Sequence, residues 1–185
     1  KGGETTVHVI PSGINLKKAH IYNSIFSIIN NVKSEITIVT PYLVPDQPVI
    51  ESLKSISMQG KKVVIILPGK SNQPIAAAAG RSFYEELLEA GVEIHETKDN
   101  MLHAKMILAD GYLATLGSSN MDARSFKINF ELNIIIYSKK FYNTAYELAS
   151  TYITDGNLIN LDDVRGRNFA VRVYEGLCRT LGPVL

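Results

Sequence analysis

The sequence predicts an α/β fold, a mixed parallel and antiparallel sheet of about seven strands flanked by helices on both faces. Three observations carry this expectation. Short β-branched apolar runs alternate with longer segments in which apolar residues recur at three- and four-residue steps, the pattern of a layered sheet. After Ile94 the helical segments stop and strands follow one another through tight turns, which implies an antiparallel half of the same sheet. The length of 185 residues suits one domain over 1–185 and is enough to bury about 70% of the surface of the unfolded chain.

In chain order the strand candidates are "TVHVI" (6–10), "EITIVTPYL" (35–43), "KKVVIILPG" (61–69), "VEIHE" (92–96), "HAKMILAD" (103–110), "YLATLGS" (112–118) and "LNIIIYS" (132–138). Between the first four lie "LKKAHIYNSIFSIINNVK" (16–33), "DQPVIESLKSISMQG" (46–60) and "QPIAAAAGRSFYEELLEAG" (73–91), three helical crossovers, two of which end in Gly. Three crossovers in succession favour parallel strands. The small-residue run 75–80 is expected to pack closely on the sheet. From Lys139 helical spacing returns, with Phe169, Val173, Leu177 and Leu181 on one stripe; the expectation is ordinary core over the sheet, against a partner or membrane surface.

Composition bounds the function. Nineteen Lys and Arg against 18 Asp and Glu give a formal net charge of +1, so no overall basic field argues for nucleic acid. Cys178 is the single cysteine, which excludes an intrachain disulfide and a Cys-rich zinc site. No run of about 18 apolar residues and no basic-plus-apolar leader is present, so these residues read as soluble. The chain opens on Lys1 and runs at once into a strand, as a piece of a longer chain would.

The chemistry concentrates in "MLHAKMILADGYLATLGSSNMDARS" (101–125). Asp110-Gly111 between alternating apolar residues predicts a two-residue hairpin turn. Ala109 would then face Tyr112, Ile107 Ala114, Lys105 Leu116 and His103 Ser118, with Asn120 following on the same side, while Leu102, Ala104, Met106 and Leu108 point to the other layer. A one-residue shift would invert that parity. An imidazole can attack phosphorus or protonate a leaving oxygen, and Lys105 and Asn120 can donate to non-bridging phosphate oxygens. A nucleophilic His103 needs its second nitrogen held, and Glu131 in "KINFELNIII" is the available carboxylate. A lone His-x-Lys in a strand is usually a solvated edge; the grouping is what argues otherwise. Asp110, in the turn, lies about seven residues from His103, on the order of 20 Å at ~3.3 Å per residue, so its role reads as structural. His8, His20 and His95 read as packing or surface residues, with no second ligand at metal spacing. Asp122 and Arg124 could pair with each other or contact substrate. Tyr42 falls at a strand's C-terminal end, where α/β sheets place ligands.

These residues resemble the phospholipase D superfamily: His103, Lys105 and Asp110, then Gly117, Ser118 and Asn120, with Glu131 where that family carries its histidine-orienting acid. The chain is most similar to the C-terminal half of bacterial cardiolipin synthases through "TPYLVPD", "VVIILPGKS", "SFYEELLEAGVEI", "MLHAKMILAD", "GSSNMDARSFKINFELN" and "LGPVL". It departs at Asn72, where relatives often have Asp, and at Ile14, where Pro is common; both positions lie outside the motif.

The resemblance implies a second motif on an N-terminal half of the parent chain, with one histidine forming a phosphohistidine and the other acting as general acid. It implies phosphatidyl transfer between two phosphatidylglycerols, giving cardiolipin and releasing glycerol, with no metal or other cofactor. It places the parent at the bacterial cell membrane. Two other readings stand beside it: a phosphodiesterase or nuclease completed by homodimerisation, and a non-catalytic lipid-binding half. The balanced charge argues against the first, and the intact motif against the second.

Overall fold

The computed structural model describes residues 5–14, 19–98 and 102–182. Its main sheet has eight strands in the order β1-β9-β7-β6-β2-β4-β5-β10. Seven of them are the predicted ones: β1 (Thr6–Ser12), β2 (Glu35–Val39), β4 (Lys62–Pro68), β5 (Glu93–Thr97), β6 (Met106–Ala109), β7 (Leu113–Gly117) and β9 (Glu131–Tyr137). The eighth, β10 (Gly156–Leu158), is an edge strand on β5. Its three residues are too few to show periodicity. A second, two-stranded sheet pairs β3 (Leu43–Val44) in parallel with β8 (Met121–Asp122).

Within the main sheet, parallel pairing is confined to β2, β4 and β5. The first crossover differs from expectation, because β1 pairs antiparallel with β9 at the far edge rather than lying beside β2. The intervening positions are taken by the antiparallel hairpin β6–β7 and by β9.

Each face of the sheet is covered, and the strand period decides by what. Ile36, Ile38, Ile65, Ile94 and Ile107 join one core with α1 (His20–Asn31), α2 (Gln47–Met58) and α4 (Tyr84–Glu89). The first of these helices buries Ile21, Ile25 and Ile29, one residue per turn. Val39, Val64, Ile66, Met106, Leu108 and Ala114 face α6 (Lys139–Asp155), which buries Tyr142, Ala145 and Ala149. The predicted single helix over 73–91 is two, α3 (Pro74–Arg81) and α4, broken where Ser82 Oγ donates to Ala79 O and Phe83 N–H to Gly80 O. Gly80 packs against β3, where a Cβ would stand 3.0 Å from Leu43 O; the small-residue run serves the minor sheet.

The C-terminal stripe overturns its expectation. In α8 (Phe169–Thr180) the buried residues are Glu175 and Cys178, while Phe169 is 81% and Leu177 62% exposed. Ion pairs fix this orientation. Arg167 holds Glu175 at 3.1 Å, Arg179 holds Glu86 at 2.9 Å, and the Arg179 guanidinium lies 4.0 Å over the Phe83 ring. The charged side therefore faces α3 and α4, and the apolar stripe turns away from the sheet. Among the described residues no helix is long and apolar enough to cross a membrane.

Candidate active site

The hairpin that carries the motif turns at Asp110 and Gly111, with φ of 54° and 74°. Both angles are left-handed, as the Asp-Gly pair requires, and Tyr112 N–H donates to Ala109 O across the turn. The register is not the expected one. Ala109 pairs with Leu113, Leu108 with Ala114, Ile107 with Thr115 and Met106 with Leu116. Tyr112 is an extra residue on the second strand, a bulge whose carbonyl accepts from Ser138 N–H. A one-residue shift inverts parity.

The shifted register changes which residues meet. Ser118, predicted beside His103, is engaged from backbone and side chain with Leu132: its N–H donates to Leu132 O at 3.1 Å and its hydroxyl accepts from Leu132 N–H at 3.0 Å. Ser119 takes its place on the Lys105 side, in a crevice lined by Lys105, Thr115, Ser119 and Asn133. Asn133 is 6% exposed, and its Oδ1 accepts from Ser119 N–H at 3.3 Å. Ser119 and Asn133 escaped the sequence reading. Strict alternation from Glu131 along β9 puts Asn133 on the Glu131 face and was the available signal.

Lys105 is the hub. Its Nζ donates to His103 O at 2.9 Å and stands 3.2 Å from Nδ1 and 3.3 Å from Nε2 of the same imidazole. Burial pushes its pKa down, while the carboxylates of Glu131 and Asp122 pull it up; the balance is a lowered value. A lysine with lost hydration and two nearby anions is a preorganised cation for a phosphoryl oxygen. His103 is exposed, and it and Lys105 lie in the irregular segment before β6, which begins at Met106 rather than at His103 as expected. No hydrogen bond joins it to Glu131, whose carboxylate accepts from Asn129 Nδ2 at 3.2 Å.

Asp110 is far from this chemistry and densely bonded. Its carboxylate accepts from the backbone N–H of Lys33, Ser34 and Glu35 and from the Ser34 hydroxyl, at 2.8–3.3 Å. Burial opposes its charge, but these donors outweigh it and hold the carboxyl below its ordinary pKa. It pins the hairpin tip to the loop between α1 and β2. In the full-length protein Asp110→Asn, which keeps one acceptor oxygen and tolerates the left-handed angle, should retain most activity and lose about 1–2 kcal/mol of stability. The carboxylate's contribution is complete above the unfolded pKa and is lost as pH falls through the lower folded one. Thermal melts from neutral to acid pH should therefore separate the two proteins at neutral pH and converge in acid; an unchanged melt or a thousandfold activity loss would contradict the assignment.

Beside the crevice a cavity of about 250 Å³ is lined by Tyr42, Gln73, Asn120, Asp122, Arg124 and Asn129, among others. Thr40 ties its walls together, donating to Tyr42 O at 2.9 Å and accepting from Met121 N–H at 3.2 Å. Asn120 Oδ1 is buried without a partner. Asp122 is 6% exposed and accepts from Ser125 N–H at 2.6 Å, capping α5 (Ala123–Lys127) rather than pairing with Arg124. Tyr42 donates to Asn72 Oδ1 at 2.7 Å. Burial and Asp122 raise the Tyr42 pKa, and the Asn72 bond lowers it by less. Asn72, though outside the motif, thus touches the wall of this cavity through Tyr42. The other histidines keep structural places: His8 packs edge-on to Tyr137 at 5.4 Å, His20 opens α1 and His95 is buried in β5. Among the described residues no group of three or more His, Cys, Asp or Glu is placed to hold a metal ion.

The profile of the family described as "Cardiolipin synthase, PLD-like domain" matches residues 25–152, which contain Tyr42, His103, Lys105, Asp110, Asn120, Arg124, Glu131 and Asn133. The chain belongs to that family. It is 37% identical over 182 residues to a cardiolipin synthase of Halalkalibacterium halodurans, covering 97% of this chain and 36% of that protein. A cardiolipin synthase of Clostridium perfringens is 34% identical over 177 residues, covering 96% and 37%. The chain thus spans little more than a third of these curated relatives. Among solved structures, Nuc of Salmonella typhimurium, a phospholipase D family member, superposes with a TM-score of 0.72 at 19% identity over 85% of this chain and 99% of its own. Phosphatidylserine synthase of Haemophilus influenzae gives 0.78 at 13% over 98% and 48%. These two establish the phospholipase D fold.

Proposed function

We propose that this chain is a single phospholipase D-like domain supplying one of two catalytic motifs in a cardiolipin synthase that transfers a phosphatidyl group between two phosphatidylglycerols. The observation that carries the reading is Lys105 held against His103 beside Ser119 and Asn133, in a chain matched by that family over these residues.

An imidazole nitrogen of His103 or of the partner motif's histidine attacks the donor phosphorus, and the other imidazole gives its proton to the departing glycerol oxygen. Lys105 and Asn120 donate to the non-bridging oxygens as charge builds on them. The acceptor hydroxyl then displaces the imidazole, regenerating the histidine. Glu131 orients His103 once substrate closes the gap between them, since catalytic hydrogen bonds often tighten only in the complex. The N-terminal half of the parent chain supplies the second motif and contact with the membrane.

The test is to incubate the purified full-length protein with phosphatidylglycerol vesicles. Cardiolipin and glycerol should appear in equal amounts, without loss of rate on adding a chelator. The isolated 185-residue chain, with one motif, should turn over negligibly as a monomer. Free phosphatidic acid as the main product, cleavage of DNA at a comparable rate, or inactivation by the chelator with recovery on restoring one metal would overturn the reading.

A further inference from the structure

Arg124 is the one arginine among the described residues that holds no carboxylate. Arg81 pairs with Glu96, Arg165 and Arg172 with Glu85, Arg167 with Glu175 and Arg179 with Glu86. Arg124 is exposed, and its guanidinium takes part in no ion pair. It lines the cavity of about 250 Å³ together with Tyr42, Gln73, Asn129 and Asn120, whose buried Oδ1 has no donor. Among the described residues the only carboxylate in that wall, Asp122, is turned to Ser125 N–H. A free planar guanidinium suits bidentate binding of a phosphate, and an acceptor oxygen without a partner suits a hydroxyl.

We propose that Arg124, with Gln73, forms a second anion subsite that holds the phosphate of the accepting alcohol while Asn120 Oδ1 accepts from the hydroxyl next to the attacking one. This rests on the proposed function and adds how the acceptor is chosen: an alcohol bearing a glycerol phosphate group is preferred to a neutral one. In the transfer step the acceptor oxygen forms the new P–O bond as the P–N bond to the imidazole breaks. The hydroxyl proton passes to the second histidine, which became a base on protonating the departing glycerol. A cavity of this size accepts a glycerol phosphate head group and leaves acyl chains outside.

The full-length protein tests this with three acceptors competing for one phosphatidyl donor: phosphatidylglycerol in vesicles with phosphatidylcholine, free glycerol 3-phosphate, and labelled glycerol exchanging into phosphatidylglycerol. In Arg124→Gln the ratio of transfer to an anionic acceptor over transfer to glycerol should drop at least tenfold through KM. Arg124→Lys should recover part of it. Loss with both anionic acceptors assigns the phosphate as the ligand, and loss with the vesicle acceptor alone assigns the lipid-borne phosphate. An unchanged ratio, or an equal fall for all three acceptors, overturns the subsite. If wild type makes no cardiolipin the proposed function fails by itself. The subsite is then judged by calorimetry with glycerol 3-phosphate, whose affinity should be at least tenfold weaker in Arg124→Gln and whose equal binding to both proteins would overturn it.

Discussion

Replacing His103 by Asn in the full-length protein should lower cardiolipin formation by about four orders of magnitude, since loss of a nucleophile or general acid leaves only binding and electrostatics. The structure makes this a clean experiment. His103 is exposed, and among the described residues its side-chain hydrogen bonds run to Lys105. The melting temperature should therefore stay within about a degree, as for a surface substitution. Lys105→Gln should cost less, about two to three orders of magnitude, because one charged donor is removed from several. It should also release the His103 loop, since Lys105 Nζ donates to His103 O at 2.9 Å. Trapping labelled phosphatidyl enzyme by acid quench would decide which half-reaction His103 serves. A His103→Asn variant within tenfold of wild type would remove this residue from the mechanism.

What the sequence could and could not reveal follows from the range of the forces involved. The seven predicted strands and the division of Leu102, Met106 and Leu108 from Lys105 were legible, because period-two alternation is local, and these three share the core under α6 although β6 begins only at Met106. The turn was legible too, since Asp110 and Gly111 both take left-handed angles. The bulge at Tyr112 was not. It is set by Ser138 N–H reaching Tyr112 O, a contact with the residue that caps α6, distant in sequence, and it exchanges Ser118 for Ser119. The α8 stripe failed for the same reason. Periodicity finds an amphipathic helix but not which side is covered, and here Glu175 and Arg179 are held inward by partners outside the helix or its apolar face. At Glu131 the period placed the residue on the right strand, while its hydrogen bond to Asn129 depended on side-chain geometry.

Gly117→Ala should lower both stability and activity. A Cβ at Gly117 would stand 2.0 Å from Asn133 Oδ1, 2.6 Å from Asn133 Cγ and 2.5 Å from Leu132 O. None of these atoms can yield cheaply. Leu132 O accepts from Ser118 N–H, and Asn133 is buried with its Oδ1 bound to Ser119 N–H. Relief requires β7 to part from β9, at a cost of about 1–3 kcal/mol or more. That corresponds to a melting temperature lower by several degrees. Activity should fall further than stability, by about a hundredfold, because the strain bears on the Ser119 and Asn120 backbone and a displacement near 1 Å suffices for such a loss. Gly111→Ala is the control: its φ is +74° with nothing within 4 Å, so it should cost about 1 kcal/mol of backbone strain and little activity. Asn133→Ala in the Gly117→Ala background should restore stability in part, leaving only the clash with Leu132 O. If Gly117→Ala keeps both its melting temperature and its turnover, the close packing of β7 on Asn133 is not what positions the site.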